Sequence, residues 1–186
     1  MLDLHGGKTS MARFLLYLLT FASAPGSQNG FDNSGRYGPI NWQQGATVQQ
    51  TLDAIQGLAQ RYAGATDVVS AIELLNEPAG WAVNLDGVKS FYNSGYDTVR
   101  NSIGSNTLVT IHDAFQDFET YWNGFMNGQS GRYNVMIDTH QYQIFSPDQV
   151  AQSAPQHIAN ACAIGNKLKG TDKWAVVGEW TGAQTE

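Results

Sequence analysis

Two glutamates follow apolar stretches that are typical of buried strands, and each lies in a short polar motif. Glu77 lies in LNEP after the run VVSAIELL, and Glu179 lies in GEW after the run WAVV. An apolar run that stops abruptly at polar residues indicates the end of a strand buried on both faces. Two carboxyl groups at the ends of separate parallel strands can cleave a glycosidic bond, because one protonates the leaving oxygen while the other meets the anomeric carbon.

The neighbours of these glutamates suit the same chemistry. Asn76 can hydrogen-bond a sugar 2-hydroxyl, and His140 and Tyr142 can donate to Glu179 and hold it ionised. A lone glutamate at a strand end is also typical of a structural ion pair or a helix cap. Aromatic residues that follow strand ends can stack on sugar rings, although each alone is more typical of a core: Phe31, Trp81, Phe145 and Trp180.

Composition and spacing argue against several other classes of function. The formal net charge of -6 and the scattered Lys and Arg residues give no basic surface for nucleic acid. The chain has one cysteine, Cys162, so neither an internal disulfide nor a cysteine-rich zinc site is available. The histidines His5, His112, His140 and His157 show no HExxH spacing, and no GxSxG elbow occurs. We therefore expect no metal and no cofactor.

Short apolar runs alternate with helical patterns along the chain. Buried strands are predicted near residues 68–75, 107–111, 133–138 and 174–179, and amphipathic helices over 46–63, 86–103 and 147–168. This alternation predicts a parallel sheet, whose carboxyl ends carry the functional residues. A further strand end is expected at DLHG, with Asp3 and His5. The absence of a GxGxxG loop favours a barrel over an open dinucleotide-binding sheet.

Six segments of the chain form long and specific motifs: DLHG at 3–6, APGSQNGFDNSG at 24–35, LNEP at 75–78, TIHDAF at 110–115, DTHQYQIFS at 138–146 and VGEWTGA at 177–183. Together they resemble fungal exo-β-1,3-glucanases of glycoside hydrolase family 5. The resemblance implies an α/β fold of the (β/α)8 TIM barrel type. It also implies a retaining hydrolase that releases glucose from the non-reducing ends of β-1,3-glucan, acts without a cofactor, and is a secreted monomer of the extracellular space or cell wall. Nucleic acid and membranes are not expected partners.

The same resemblance assigns roles to individual residues. Glu77 matches the acid/base and Glu179 the nucleophile, with carboxyl groups about 5 to 5.5 Å apart and a raised pKa at Glu77. The remaining matches are expected to bind substrate: His5, Asn76, His140 and Tyr142 around the cleaved unit, Asp32 on the terminal glucose, and Phe31 and Phe145 gripping the glucan at the pocket mouth.

Two readings compete with this assignment. A β-1,4-glucanase or mannanase would share the NEP and GEW strand ends, although the QNGFDNSG stretch speaks against it. A non-catalytic or vestigial glucan-binding barrel would keep the fold without turnover, and it would be indifferent to replacement of Glu77.

The chain departs from the family pattern in its extent. Residues 1–186 are expected to form a partial catalytic domain, with strands 3 to 7 present and strands 1, 2 and 8 missing. Such a barrel exposes two parallel edges, so we expect the isolated polypeptide to be unstable or to aggregate.

A second departure is residues 7–23, GKTSMARFLLYLLTFAS, which stand between DLHG and APGSQNG. Residues 11–24 resemble a signal peptide, but a signal behind DLHG leaves that motif unexplained, and the apolar run is too short to span a membrane. We favour a retained intron, because its codons can contain splice signals and its removal would rejoin the two motifs in frame. As translated protein, the segment is expected to place an apolar helix at the active-site rim and to abolish activity.

Overall fold

Five parallel strands form one sheet in the computed structural model, which describes residues 17–183. The strands are β1 (Tyr17–Thr20), β2 (Val69–Glu73), β3 (Leu108–His112), β4 (Val135–Gln141) and β5 (Trp174–Trp180). Each strand pairs with the next one along the chain, so the spatial order is the sequence order. All five carboxyl ends therefore lie along the same edge, as the sequence predicts.

Helices cover three of the four connections. They are α1 (Thr47–Arg61), α2 (Leu85–Ile103), α3 (Pro147–Val150) and α4 (Ala154–Lys167), and short 3-10 helices lie at Asp32–Ser34, Gly128–Ser130 and Leu168–Gly170. The connection from β3 to β4 contains a 3-10 turn and no α-helix. None of the helices within residues 17–183 combines the length and apolar composition that crossing a membrane requires.

The third predicted helix, 147–168, is divided in the structure. The helical backbone ends at Val150 and resumes at Ala154. Pro155 in the first turn of α4 has no N–H for a continuing helix, and the Gln156 side chain accepts a hydrogen bond from the Ser153 N–H at 2.8 Å. The apolar periodicity that predicted one helix runs on through this region, but the N-cap at Ser153 starts a second helix.

Within residues 17–183, the first strand lies in the segment that follows DLHG. Residues 17–20, inside the segment 7–23, pair in parallel with β2, and Thr20 stands opposite Glu73. The expectation of an apolar helix is wrong for these four residues, because an apolar run next to an open strand gains backbone hydrogen bonds by pairing with it. Asp3, His5 and residues 7–16 lie outside the described residues. A retained intron stays a prediction that the sequence of the spliced transcript tests.

The core lies between the middle strands and the helices that follow β1 and β2. Its largest fully buried side chains are Trp42, Trp122, Tyr92, Phe91, Ile55, Ile72, Leu74, Leu75, Ile111, Met126 and Ile137. Strands β2, β3 and β4 are buried along almost their whole length, whereas β5 is partly exposed. Helix α4 buries only His157, so this side of the sheet is thinly covered.

Two buried side chains fix the carboxyl end of β3 next to the site. The Tyr92 hydroxyl donates to the His112 carbonyl at 2.9 Å, and the Trp122 indole N–H donates to the Asp113 carbonyl at 2.8 Å. His112 and Asp113 are both buried, so these donors satisfy acceptors that water does not readily reach. The packing of α2 and of the β3–β4 connection thereby holds the rim of the sheet.

A pair of isoleucines tests where the stability resides. Ile72 is fully buried in β2, whereas Ile158 on α4 is exposed. Ile72→Ala is expected to lower the free energy of unfolding by about 2 to 5 kcal/mol, because it leaves a cavity, and Ile158→Ala by at most about 0.5 kcal/mol. Denaturant unfolding followed by circular dichroism measures both, and equal losses would contradict this location of the core.

Candidate active site

An open cavity of about 1030 Å³ lies at the carboxyl ends of β2, β4 and β5. It contains two glutamates, a histidine and a set of aromatic rings. The lining residues are Phe31, Asp32, Asn33, Tyr37, Glu77, Trp81, Phe115, His140, Tyr142, Phe145 and Glu179. Acidic groups among apolar rings are the composition expected of a site that orients a ligand by a few polar contacts.

His140 joins the two glutamates. Its Nδ1 atom is 2.7 Å from Glu77 Oε1 and 3.4 Å from Glu179 Oε2. The Tyr142 hydroxyl also donates to Glu179 Oε2, at 2.8 Å. The two carboxylates therefore share one nitrogen, although they come from strand ends that are not neighbours in the sheet.

The shared nitrogen limits the separation of the carboxylates. The two oxygens can be no farther apart than the sum of their distances to Nδ1, 2.7 and 3.4 Å. That sum is below the roughly 6.5 Å at which inverting glycosidases begin to leave room for a water molecule. This limit applies to one pair of oxygens and is compatible with the roughly 5 to 5.5 Å expected between the Glu77 and Glu179 carboxyl groups, which stays a prediction.

Glu77 has an unusual backbone. Its φ is 47°, in the left-handed region that a non-glycine residue adopts only at a cost. Gln28, fully buried, holds the chain on both sides of it: the Gln28 amide donates to the Asn76 carbonyl at 2.8 Å, and the Ala79 N–H donates to the Gln28 carbonyl at 3.0 Å. These bonds aim the Glu77 side chain into the cavity.

The pKa values of this pair differ from the sequence-based expectation. Burial disfavours the Glu77 carboxylate, but hydrogen bonds from His140 and from Asn33, the latter at 2.9 Å, outweigh it and lower the pKa of Glu77. The expected raised pKa of Glu77 is thus wrong for the free protein. Burial lowers the pKa of His140, but Asp138 and Glu77 outweigh burial and raise it to about 10. The pair holds its proton on the imidazole.

Asp138 supports His140 from the other side. Asp138 Oδ2 is 3.6 Å from His140 Nε2, and Asp138 Oδ1 accepts the Gly178 N–H at 2.7 Å. A β-carbon on Gly178 would come within 2.1 Å of Asp138 Oδ2, so only glycine fits there. Glu73 is also buried nearby, and burial followed by the charge of Asp138 raises its pKa to about 8.

The structure brings together seven of the nine residues predicted from the sequence. Glu77, Glu179, His140, Tyr142, Phe31, Asp32 and Phe145 line the cavity. Asn76 precedes Glu77 in the chain, but it is buried, at 6% exposed, and does not line the cavity. His5 lies outside the described residues.

The aromatic residues are not core residues. Phe31, Trp81, Phe145 and Trp180 all have exposed side chains, so the expectation of burial for each alone is wrong. The first three line the cavity, and Trp180 lines a neighbouring one. Phe31, Trp81 and Phe145 lie outside the strands and helices, whereas Trp180 is the last residue of β5.

Four contributors escaped the sequence-based prediction. Asn33 bonds Glu77, Asp138 supports His140, and Phe115 and Tyr37 line the cavity. Asn33 lies in QNGFDNSG and Asp138 in DTHQYQIFS, so the motifs signalled the segments but not these side chains.

One group of possible metal ligands occurs within residues 17–183. Single donor atoms of Glu77, His112 and His140 lie within 4.8 Å of one another. Two of the three residues already hydrogen-bond each other, and His112 Nδ1 accepts the Ala114 N–H at 3.0 Å. The imidazolium of His140 also repels a cation. This group is better satisfied as an ion pair than as a metal site.

Comparisons with known proteins point to one family. Residues 18–186 match the model of the family described as Cellulase (glycosyl hydrolase family 5). The chain is 54% identical, over all of its length and 39% of the relative's, to a glucan 1,3-beta-glucosidase from Blumeria graminis. It is 48% identical, over 94% of its length and 42% of the relative's, to a probable glucan 1,3-beta-glucosidase A from Emericella nidulans. The chain thus spans about two fifths of the length of these relatives.

Solved structures show the fold. The crystal structure of rutinosidase from Aspergillus niger superposes with a TM-score of 0.73 at 21% identity, covering 88% of this chain and 48% of that one. The crystal structure of Cel5A (EG2) from Hypocrea jecorina superposes with a TM-score of 0.53 at 18% identity, covering 81% of this chain and 47% of that one. The likeness confirms the predicted fold class, five consecutive strands of an incomplete (β/α)8 barrel.

Replacement of Gln28 tests how the Glu77 backbone is held. Gln28→Leu leaves buried backbone groups unpaired, and we expect a loss of about 1 to 3 kcal/mol in unfolding free energy. Gln43 is a matched control, since its amide bonds both backbone groups of Asn84 at the surface. Gln43→Leu should cost clearly less in the same denaturant titration, and equal costs would refute a special role for Gln28.

The charge on His140 predicts a pH dependence of stability. The pKa rises from 6.5 to about 10 on folding. Protonation of His140 therefore stabilises the fold fully below about pH 6.5, and this contribution is lost as the pH rises towards 10. His140→Gln removes it, so the stability difference between parent and variant should shrink from pH 6.5 to pH 10. Unfolding curves at several pH values measure this, and a constant difference would contradict it.

Proposed function

Since the chain belongs to glycosyl hydrolase family 5, we propose that the complete catalytic domain to which it contributes hydrolyses β-1,3-glucan with retention of configuration, releasing glucose from non-reducing ends. The observation that carries the proposal is the contact of Glu77 and Glu179 with one His140 nitrogen in a cavity lined by aromatic rings. The glucan 1,3-beta-glucosidases among the relatives support the choice of substrate.

Glu179 is the nucleophile in this proposal. Its Oε2 accepts from Tyr142 at 2.8 Å and lies 3.4 Å from His140 Nδ1, so one hydrogen bond and one ion pair orient it. Burial and the bond to Glu179 raise the pKa of Tyr142 to about 12, which keeps the phenol a donor. Glu179 attacks the anomeric carbon, a glycosyl–carboxylate bond forms, and the bond to the leaving oxygen breaks.

The leaving oxygen receives its proton through Glu77. In the free protein that proton is on His140, 2.7 Å from Glu77 Oε1. Glycosylation consumes the negative charge of Glu179 and so weakens the hold of His140 on its proton. Transfer from His140 to Glu77 and on to the oxygen balances the step. Glu77, ionised again, then takes a proton from the water that hydrolyses the glycosyl–enzyme bond and returns it to His140, so the starting state is restored.

The other lining residues are proposed to bind the sugar units. Phe31 and Phe145 present exposed rings for the apolar faces of pyranoses, and Asp32 offers a carboxylate to sugar hydroxyls at the terminal glucose. Asn76 and His5 are kept as proposed substrate ligands on the basis of their motifs. The polymer is too large to enter a cell, so we propose that the protein acts outside it, as a monomer.

Replacement of the two carboxylates tests the chemistry. Glu77→Gln and Glu179→Gln should each lower kcat/KM on laminarin at least about 100-fold. The phenolate of an aryl β-glucoside with an acidic phenol leaves without protonation. On this substrate, the Glu77→Gln protein should therefore keep a much larger share of the parent's rate of glycosyl–enzyme formation than the Glu179→Gln protein does. The rate of glucose release measures turnover of laminarin, and the rate of phenol release measures turnover of the aryl β-glucoside.

Product analysis separates the alternatives. Early proton NMR of the released sugar should show the β-anomer, and laminarin should be cleaved in preference to cellulose and mannan. An α-product would overturn the retaining mechanism, and preference for cellulose or mannan would overturn the substrate. A Glu77→Gln protein with unchanged turnover would favour a non-catalytic barrel.

A further inference from the structure

Trp81 is an exposed tryptophan on the turn that follows Glu77. Its side chain is 62% exposed, although the next residues fold back so that Val83 is buried. The turn is fixed by hydrogen bonds from the Ala82 and Val83 N–H groups to the Ala79 carbonyl, at 2.8 and 2.9 Å. A rigid turn that keeps a large ring in water forgoes the burial that such a ring normally gains.

Gly80 presses this turn against the loop that follows β3. A β-carbon at Gly80 would lie 2.2 Å from the Ala114 carbonyl oxygen and 2.6 Å from Gln116 Nε2. The two backbones can approach this closely only because position 80 has no side chain. The contact places the Trp81 ring 5.1 Å from the Phe115 ring before any ligand arrives.

Three rings form a continuous strip, which we define as Phe31, Trp81 and Phe115. Trp81 is its central member, 6.1 Å from Phe31 and 5.1 Å from Phe115 between ring centroids. Trp81 is also its most exposed member, at 62% against 37% for Phe31 and 39% for Phe115. The strip therefore projects furthest into solvent at Trp81.

The position of Glu77 gives the strip a direction. A general acid contacts the linkage oxygen, so the leaving part of a bound oligosaccharide begins beside Glu77. Asn33 bonds Glu77 and lies two residues from Phe31, which puts Phe31 near the first leaving unit. The cavity of about 1030 Å³ has room for more than one sugar ring, and Trp81 is the neighbour of Phe31 in the strip and the more exposed of the two.

We propose that Trp81 is the stacking platform for the second sugar unit on the leaving-group side, so that the strip recognises oligosaccharide length. The inference rests on the proposed function for the identity of the ligand, a β-1,3-linked gluco-oligosaccharide. Neither the family match nor the proposed roles of Phe31 and Phe145 assigns a role to Trp81.

Binding measurements in a Glu77→Gln background, which prevents turnover, test the platform. Trp81→Ala should lower affinity for laminaritriose about tenfold, as expected for the loss of one aromatic contact, and leave affinity for glucose unchanged. Trp81→Phe keeps a smaller ring and should lose less. Titration calorimetry reads both ligands without relying on tryptophan fluorescence.

Trp174→Ala is the matched control. Trp174 is 70% exposed at the amino end of β5, away from the cavity, and its replacement should change neither affinity. The platform is overturned if Trp81→Ala binds laminaritriose normally, if it loses laminaritriose and glucose affinity by the same factor, or if the background protein binds no laminaritriose.

Failure of the proposed function has a different signature. A parent protein that binds laminaritriose through Trp81 but releases no glucose would refute hydrolysis and leave the platform standing. A parent that hydrolyses laminarin with Trp81→Ala indistinguishable from it, in binding and in kcat/KM, would refute the platform and leave hydrolysis standing.

Discussion

The structure of the site depends on one imidazolium held among three carboxylates. His140 contacts Glu77 and Glu179 through one nitrogen and faces Asp138 through the other. Desolvation alone would destabilise a buried carboxylate, and two carboxylates near each other would also repel. The positive charge offsets both costs and fixes the separation of the glutamates. Without it, Glu77 and Glu179 would repel each other at this distance.

This arrangement changes how the acid should be described. A carboxyl group that donates a proton at neutral pH is usually one whose pKa has been raised by burial. Here hydrogen bonds to both Glu77 oxygens lower its pKa, and the proton is on His140 instead. In the proposed mechanism the acid is therefore a pair of residues, Glu77 and His140. Asp138 and Glu77 hold the proton on the imidazole, and the charge of Glu179 adds a smaller contribution that is lost during attack.

The backbone at Glu77 is strained, and contacts with the rest of the fold hold it in that conformation. The left-handed backbone at that position persists because Gln28, which is fully buried, bonds the chain before and after it. Gly80 and Gly178 also lie at close contacts. Because neither has a side chain, the loop after β3 can approach Gly80 and the Asp138 carboxylate can approach Gly178. Such close approaches surround the site, whereas the ordinary apolar packing of β2, β3 and α2 lies beneath it.

The sequence alone determined the strands from β2 to β5, their parallel order and the position of Glu77 and Glu179 at the same rim, because burial on both faces leaves unbroken apolar runs that end at polar motifs. Only the tertiary structure decided what depends on distant segments: the division of the third helix, the pairing of residues 17–20 with β2, and the exposure of Trp81. It also decided the pKa of Glu77, because the donors from Asn33 and His140 come from other loops and strands. Local patterns report which faces are apolar, but a proton's location and a ring's exposure are set by neighbours that only folding brings near.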